Sequence, residues 1–89
     1  MDQKVIISSL AMDLKRVAIG LHRGSFTMAN RFREEAIKRG QELKKQKTDG
    51  YIIKLVEKMN KSFSKSNEDL AEDALMLSTL FQNYVLKKL

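Results

Sequence analysis

The most regular polar feature of the sequence is a set of four lysines spaced four, three and four residues apart. They are Lys54, Lys58, Lys61 and Lys65. A second group of cations follows one line of the preceding segment, and consists of Arg31, Lys38 and Lys45. On helices these spacings place each group on one face, where the side chains could bind the phosphates of a nucleic acid. The competing explanation is that both groups form only the solvated faces of amphipathic helices.

The single histidine lies beside a guanidinium and a hydroxyl at a predicted helix start. His22 and Arg23 precede Gly24, and Ser25 follows it. A helix N-terminus attracts anions through its free N–H groups and its dipole. His22, Arg23 and Ser25 are therefore a candidate site for a small anion. In the alternative interpretation, Gly24 ends one helix and Ser25 caps the next, and no ligand is involved.

Arg16 and His22 are separated by five residues. This spacing resembles the Arg-x(4 to 6)-His motif of HEPN-type helical ribonucleases, in which a dimer assembles the two residues for RNA cleavage. The resemblance covers this pair alone, and here the pair lies early in the chain rather than near the last helices. It implies a third functional hypothesis, a metal-independent ribonuclease.

The rest of the sequence has no recognised catalytic pattern. There is no glycine-rich phosphate loop, no nucleophile elbow and no cysteine for thiol chemistry. Four acidic residues, at 68, 69, 72 and 73, follow a predicted helix start and suit its positive end better than they suit a metal. We therefore assign no catalytic residue, expect no cofactor and no metal site, and favour a non-catalytic protein over an enzyme.

Four amphipathic helices must position all of these residues. Apolar spacing predicts them near residues 3–22, 26–47, 50–63 and 67–87. The sequence contains no proline and only four glycines, which permits long helices. A chain of 89 residues is long enough for one small core. We predict a single all-α domain over residues 1–89, a small antiparallel bundle of about four helices.

The first and fourth predicted helices carry apolar residues on two sides. Those outside the main core faces include Val5, Met12, Ile19, Leu75 and Leu86. In a bundle of only about four helices, no helix is surrounded by other helices on all sides. Apolar side chains on the remaining open side therefore predict an interface with another molecule. We expect a protein-interaction or regulatory module that self-associates, with a homodimer as the leading state and another protein as an alternative partner. The alternative function is a small basic nucleic-acid-binding protein that uses the lysine stripe of the third helix.

The charge balance is compatible with either function. Lysine and arginine total 17 against 11 acidic residues, for a formal net charge of +6 at pH 7. Such a field attracts nucleic acids and acidic proteins. Charged residues within the first 21 positions exclude a signal peptide or a membrane span there, so we expect a cytoplasmic protein with no membrane partner.

Overall fold

A computed structural model describes residues 2–89 and confirms the all-α prediction. The helices are α1 (Gln3–His22), α2 (Phe26–Lys45), α3 (Gly50–Ser62) and α4 (Asn67–Lys88). The largest difference from the predicted bounds is at the end of α2, which stops two residues early. Lys47 takes a φ of 53°, and this left-handed conformation cannot continue a right-handed helix. None of the helices within residues 2–89 has the length and hydropathy needed to cross a bilayer.

Each of the four helices packs on two of the others. α1 packs on α2 and α4, while α3 touches the same two helices, α2 most sparsely. α4 runs antiparallel to α1. The Ser78 hydroxyl donates to the Ala11 carbonyl at 2.7 Å near the middle of both helices, and Leu21 and Asn67 line one depression where α1 ends and α4 begins.

The residue types at the helix ends predict turns and caps near Gly24, Asp49 and Ser66, and the structure agrees except in the bonding of Ser25. Gly24 has a φ of +73°, the left-handed conformation expected for the end of α1. The Asp49 carboxylate caps α3 by accepting from the Tyr51 N–H at 2.9 Å. Ser66 caps α4. Ser25 occupies the N-cap of α2 without making a side-chain capping bond, so that part of the prediction is wrong. Its ψ of 73° departs from the extended backbone that aims an N-cap side chain at the first turn.

The apolar faces of the helices meet in one core. Along α3 the spacing of the apolar residues predicts one buried face, and all five of its members are buried, namely Ile52, Leu55, Val56, Met59 and Phe63. On α2 the predicted face contains Gly40, where a Cβ would lie 3.0 Å from Val56 Cγ1 and 3.1 Å from Met59 Cε. Side chains of α3, rather than its backbone, therefore fill the space that Gly40 leaves. Helical spacing places Phe32 and Tyr84 on the core faces of α2 and α4, but both are only partly buried.

One charged side chain belongs to the interior. Asp13 is 4% exposed, and its carboxylate accepts a hydrogen bond from Arg39 Nε at 2.7 Å. Burial raises the pKa of Asp13, while the hydrogen bond and the charge of Arg39 act in the opposite direction. Since a buried charge is costly without its partner, this pair fixes how α1 packs on α2.

We expect Arg39→Ala to lower the free energy of unfolding by about 2–3 kcal/mol at neutral pH, because it leaves the Asp13 carboxylate buried and unpaired. A raised pKa means that the native state keeps the Asp13 proton to higher pH than the unfolded chain does. This group's contribution to stability therefore falls as pH rises through that pKa. The cost of Arg39→Ala should shrink as the pH is lowered and Asp13 becomes neutral. Urea denaturation at a series of pH values measures this.

The control places Arg39→Ala in an Asp13→Asn background, which has no carboxylate to titrate at this position. There the effect of Arg39→Ala should no longer vary with pH between acid and neutral conditions. An equal pH dependence in both backgrounds would show that another group is responsible.

Candidate functional site

A shallow groove of about 320 Å³ runs between α1 and α4 on the outside of the bundle. Ala11 and Ser78 line it, and the hydrogen bond between them joins the two helices at this point. Both residues are small, and the larger side chains of Met12, Lys15 and Leu75 line the groove as well. The groove is thus a direct consequence of close packing between α1 and α4.

The predicted interface residues lie on this side of the molecule. Val5, Met12 and Leu75 are each about half exposed, and Leu86 is 73% exposed, while Ile19 is half-buried. Because the helices are antiparallel, Val5 and Leu86 lie toward one end of the groove, and Met12 and Leu75 border it further along. Two apolar lines that are distant in sequence therefore form one surface. Its contact with a second molecule stays a prediction.

This surface is also uncharged over most of its length. Residues 5–12 and 74–86 include no charged side chain, although 31% of the chain is charged. Antiparallel packing lays the two segments side by side. We call this surface the α1–α4 face, defined by Val5, Met12, Leu75, Thr79, Gln82 and Leu86. The two runs of uncharged residues are a sequence signal for this face in addition to its exposed apolar residues.

The predicted lysine stripe is divided by the structure. Lys54, Lys58 and Lys61 line one depression on α3. Lys65 lies beyond the end of α3, and its ammonium group donates to Asp73 at 2.7 Å. This bond raises the pKa of Lys65 and lowers the pKa of Asp73. Only the first three lysines therefore form a continuous face.

The α2 cations are not part of that depression. Arg31 lines a different one, together with Phe26 and Phe32. Lys38 lies 4.0 Å from the Glu35 carboxylate, and Lys45 ends the helix. The nucleic-acid role predicted for these α2 residues stays a prediction, without a shared surface that would join them to the α3 lysines.

The proposed anion site has acidic neighbours. His22, Arg23 and Ser25 are exposed, but the depression that contains His22 is also lined by Glu68 and Glu72, which disfavour an anion. The Ser25 N–H is already donated to the Gly20 carbonyl at 2.8 Å. These contacts agree better with a helix connection than with a ligand site.

Arg16 and His22 have different surroundings within one chain. The Arg16 guanidinium lies over the Phe32 ring, 5.1 Å from its centroid, whereas His22 lies beside the start of α4. The ribonuclease hypothesis stays a prediction with no contact that joins the pair. Within residues 2–89, no cluster of three His, Cys, Asp or Glu side chains is arranged to hold a metal ion.

The structure brings together two tyrosines that no sequence pattern indicated as a pair. The rings of Tyr51 and Tyr84 stack with centroids 6.0 Å apart and an interplanar angle of 27°. The Tyr84 hydroxyl donates to Asp49 Oδ2 at 3.2 Å, and burial together with this carboxylate raises the pKa of Tyr84. Tyr51 remains 46% exposed. The two residues lie on different helices, so no local pattern could have paired them.

Two surfaces of this bundle thus have a distinct chemical character, the uncharged α1–α4 face and the lysine-bearing side of α3 beside the tyrosine pair. Comparison of the chain with protein-family models, with curated proteins and with solved structures gives no match. Function must therefore be inferred from the chain's own residues.

Proposed function

We propose that this protein is a non-catalytic helical interaction module that self-associates, with two copies meeting through the α1–α4 face. The observation that carries the proposal is that the exposed apolar side chains and the two uncharged segments lie on the same side of the bundle. Contiguous apolar surface on a small soluble domain marks an interaction site more often than an isolated exposed leucine does. A cytoplasmic location, expected from the sequence, is part of the proposal.

Charge supports a second copy as the occupant. Each molecule carries a formal charge of +6, so two copies repel each other, and the repulsion is weakest where like charges stay out of the contact. Apart from Lys15, which also lines the groove, the α1–α4 face carries no charged side chain, and Thr79 and Gln82 each offer both donors and acceptors to an identical surface. An acidic partner protein would instead be attracted by a basic face. A two-fold dimer is the simplest closed assembly that buries one such patch.

The area that a stable contact requires can be compared with the size of the molecule. The molecule measures 34 × 22 × 20 Å, so one entire long side projects roughly 700 Å², and a standard interface of about 800 Å² per partner would use nearly all of that side. A dimer would cover the exposed parts of Met12, Leu75 and Leu86. Another protein is the alternative occupant, and it would leave the purified chain monomeric.

The test combines Met12→Glu with Leu75→Glu and measures mass in solution by light scattering over a range of concentrations. Burying these carboxylates at a symmetric contact should weaken the dimer by at least about 100-fold. Both residues are exposed in the single chain, so the helical circular dichroism and the thermal midpoint should change little.

Phe26→Glu is the matched control, since Phe26 is equally exposed but begins α2 away from the α1–α4 face. That variant should keep the native mass. A wild-type chain that is monomeric at high concentration would refute self-association, and a dimer lost only in Phe26→Glu would place the contact elsewhere.

Salt dependence gives a second prediction. Two copies of the same positively charged molecule repel each other, and added salt screens that repulsion while leaving apolar contacts intact. The dimer should therefore become tighter between about 50 and 500 mM salt. Sedimentation equilibrium at several salt concentrations measures the trend. A dimer that dissociates as salt rises would depend on ion pairs instead of the uncharged face.

A further inference from the structure

We infer that the side of the bundle formed by α3 and the end of α4 binds single-stranded nucleic acid, through base stacking on Tyr51 and phosphate contacts from five lysines. The lysines are Lys54, Lys58, Lys61, Lys87 and Lys88. This surface, here called the tyrosine–lysine side, is separate from the α1–α4 face, and the inference does not rest on self-association.

The position of Tyr51 carries the inference. Its side chain lines two neighbouring depressions, one with Lys54, Lys58 and Lys61, the other with Lys87 and Lys88. An aromatic ring therefore separates two groups of cations. The stripe predicted from sequence had lysines without an aromatic residue, and it included Lys65, whose charge is engaged by Asp73.

The ring is held in place before any ligand arrives. Tyr84 stacks on Tyr51 from α4 and is itself fixed by its hydrogen bond to Asp49. About half of Tyr51 is exposed to solvent, so a nucleobase can stack on the exposed part of its ring. Stacking of this kind accepts any base, and it needs a strand whose bases are not already stacked in a duplex.

The charge around the ring is mainly positive. Two carboxylates share this side, Asp49 and Glu57. Asp49 is already bonded to the Tyr51 N–H and the Tyr84 hydroxyl, so its charge is partly satisfied. Five lysines against two acids leave a net positive surface that would attract the phosphates flanking a stacked base. The distance from Tyr51 to Lys61 along α3 is about 15 Å, enough to follow a strand over several phosphates.

The experiment measures the fluorescence anisotropy of a labelled oligothymidylate of about 15 nucleotides with the full chain at low salt. An abasic strand of the same length, which has the phosphates but no base to stack, is the matched ligand control. The wild type should bind the oligothymidylate more tightly than the abasic strand. Since the chain has two tyrosines and no tryptophan, binding should also quench its intrinsic tyrosine fluorescence.

Tyr51→Ala should weaken binding of the oligothymidylate by about fivefold or more and bring it to the level of the abasic strand. Tyr51→Phe should bind as the wild type does, because the aromatic face is retained. Circular dichroism of both variants checks that α3 still folds. An unchanged affinity in a folded Tyr51→Ala would overturn the stacking role.

The salt dependence of binding tests whether the lysines contact phosphates. Five phosphate contacts predict a slope of about −3.5 for the logarithm of the binding constant against the logarithm of salt concentration, and Lys58→Gln with Lys61→Gln should reduce its magnitude by about 1.4. Arg31→Gln with Lys38→Gln removes the same charge outside this side and should leave the slope unchanged.

Four outcomes would overturn the inference. They are no binding at low salt, equal affinity for the abasic strand, equal affinity for duplex DNA, and binding only to vesicles that contain phosphatidylserine. The Met12→Glu and Leu75→Glu variant should still bind the oligothymidylate as a monomer, so failure of self-association and failure of strand binding are distinguished.

Discussion

The close packing of α1 on α4 is the constraint on which the rest of the molecule depends. Where Ala11 meets Ser78, small buried side chains and a buried hydrogen bond let the two helices approach closely. The same contact sets the antiparallel register of the pair. It thereby brings the uncharged segment of α1 beside the uncharged segment of α4 and turns Tyr84 toward α3, where it meets Tyr51.

The fold places two kinds of surface on neighbouring sides of α4. One side, shared with α1, is apolar and neutral, and it suits contact with an identical molecule of the same charge. The other side, shared with α3, carries lysines around an aromatic ring and suits a flexible polyanion. Asn83 borders both. Apart from Asn83, the two surfaces are lined by different residues, and the two proposed contacts are expected to respond to salt in opposite directions, so self-association and strand binding can be tested separately.

Local sequence patterns were enough to predict the helices but not all of their contacts. The spacing of Ile52, Val56 and Met59 is local information, and so are the turn signals at Gly24 and Asp49. These predictions were confirmed, whereas the interface predicted for the exposed apolar residues stays a prediction.

Features that depend on which helices become neighbours were not predicted. The burial of Asp13 follows from Arg39 on another helix. The tyrosine pair requires α3 to lie beside the end of α4, and the acidic residues near His22 reach it only because α4 begins where α1 ends. Long-range pairing of this kind is set by three-dimensional packing, which a helical periodicity does not encode.

The most direct test of the central claim is to locate the contact between two copies of the chain. The natural chain has no cysteine, so a single nitroxide label can be attached at Lys15→Cys, beside the groove, or at Asn60→Cys, on the exposed side of α3. Pulsed dipolar spectroscopy then measures the distance between labels on two copies. We expect a short distance for the label at position 15 and a longer one for the label at position 60. Absent dipolar coupling at both positions, or the shorter distance at position 60, would contradict a dimer formed through the α1–α4 face.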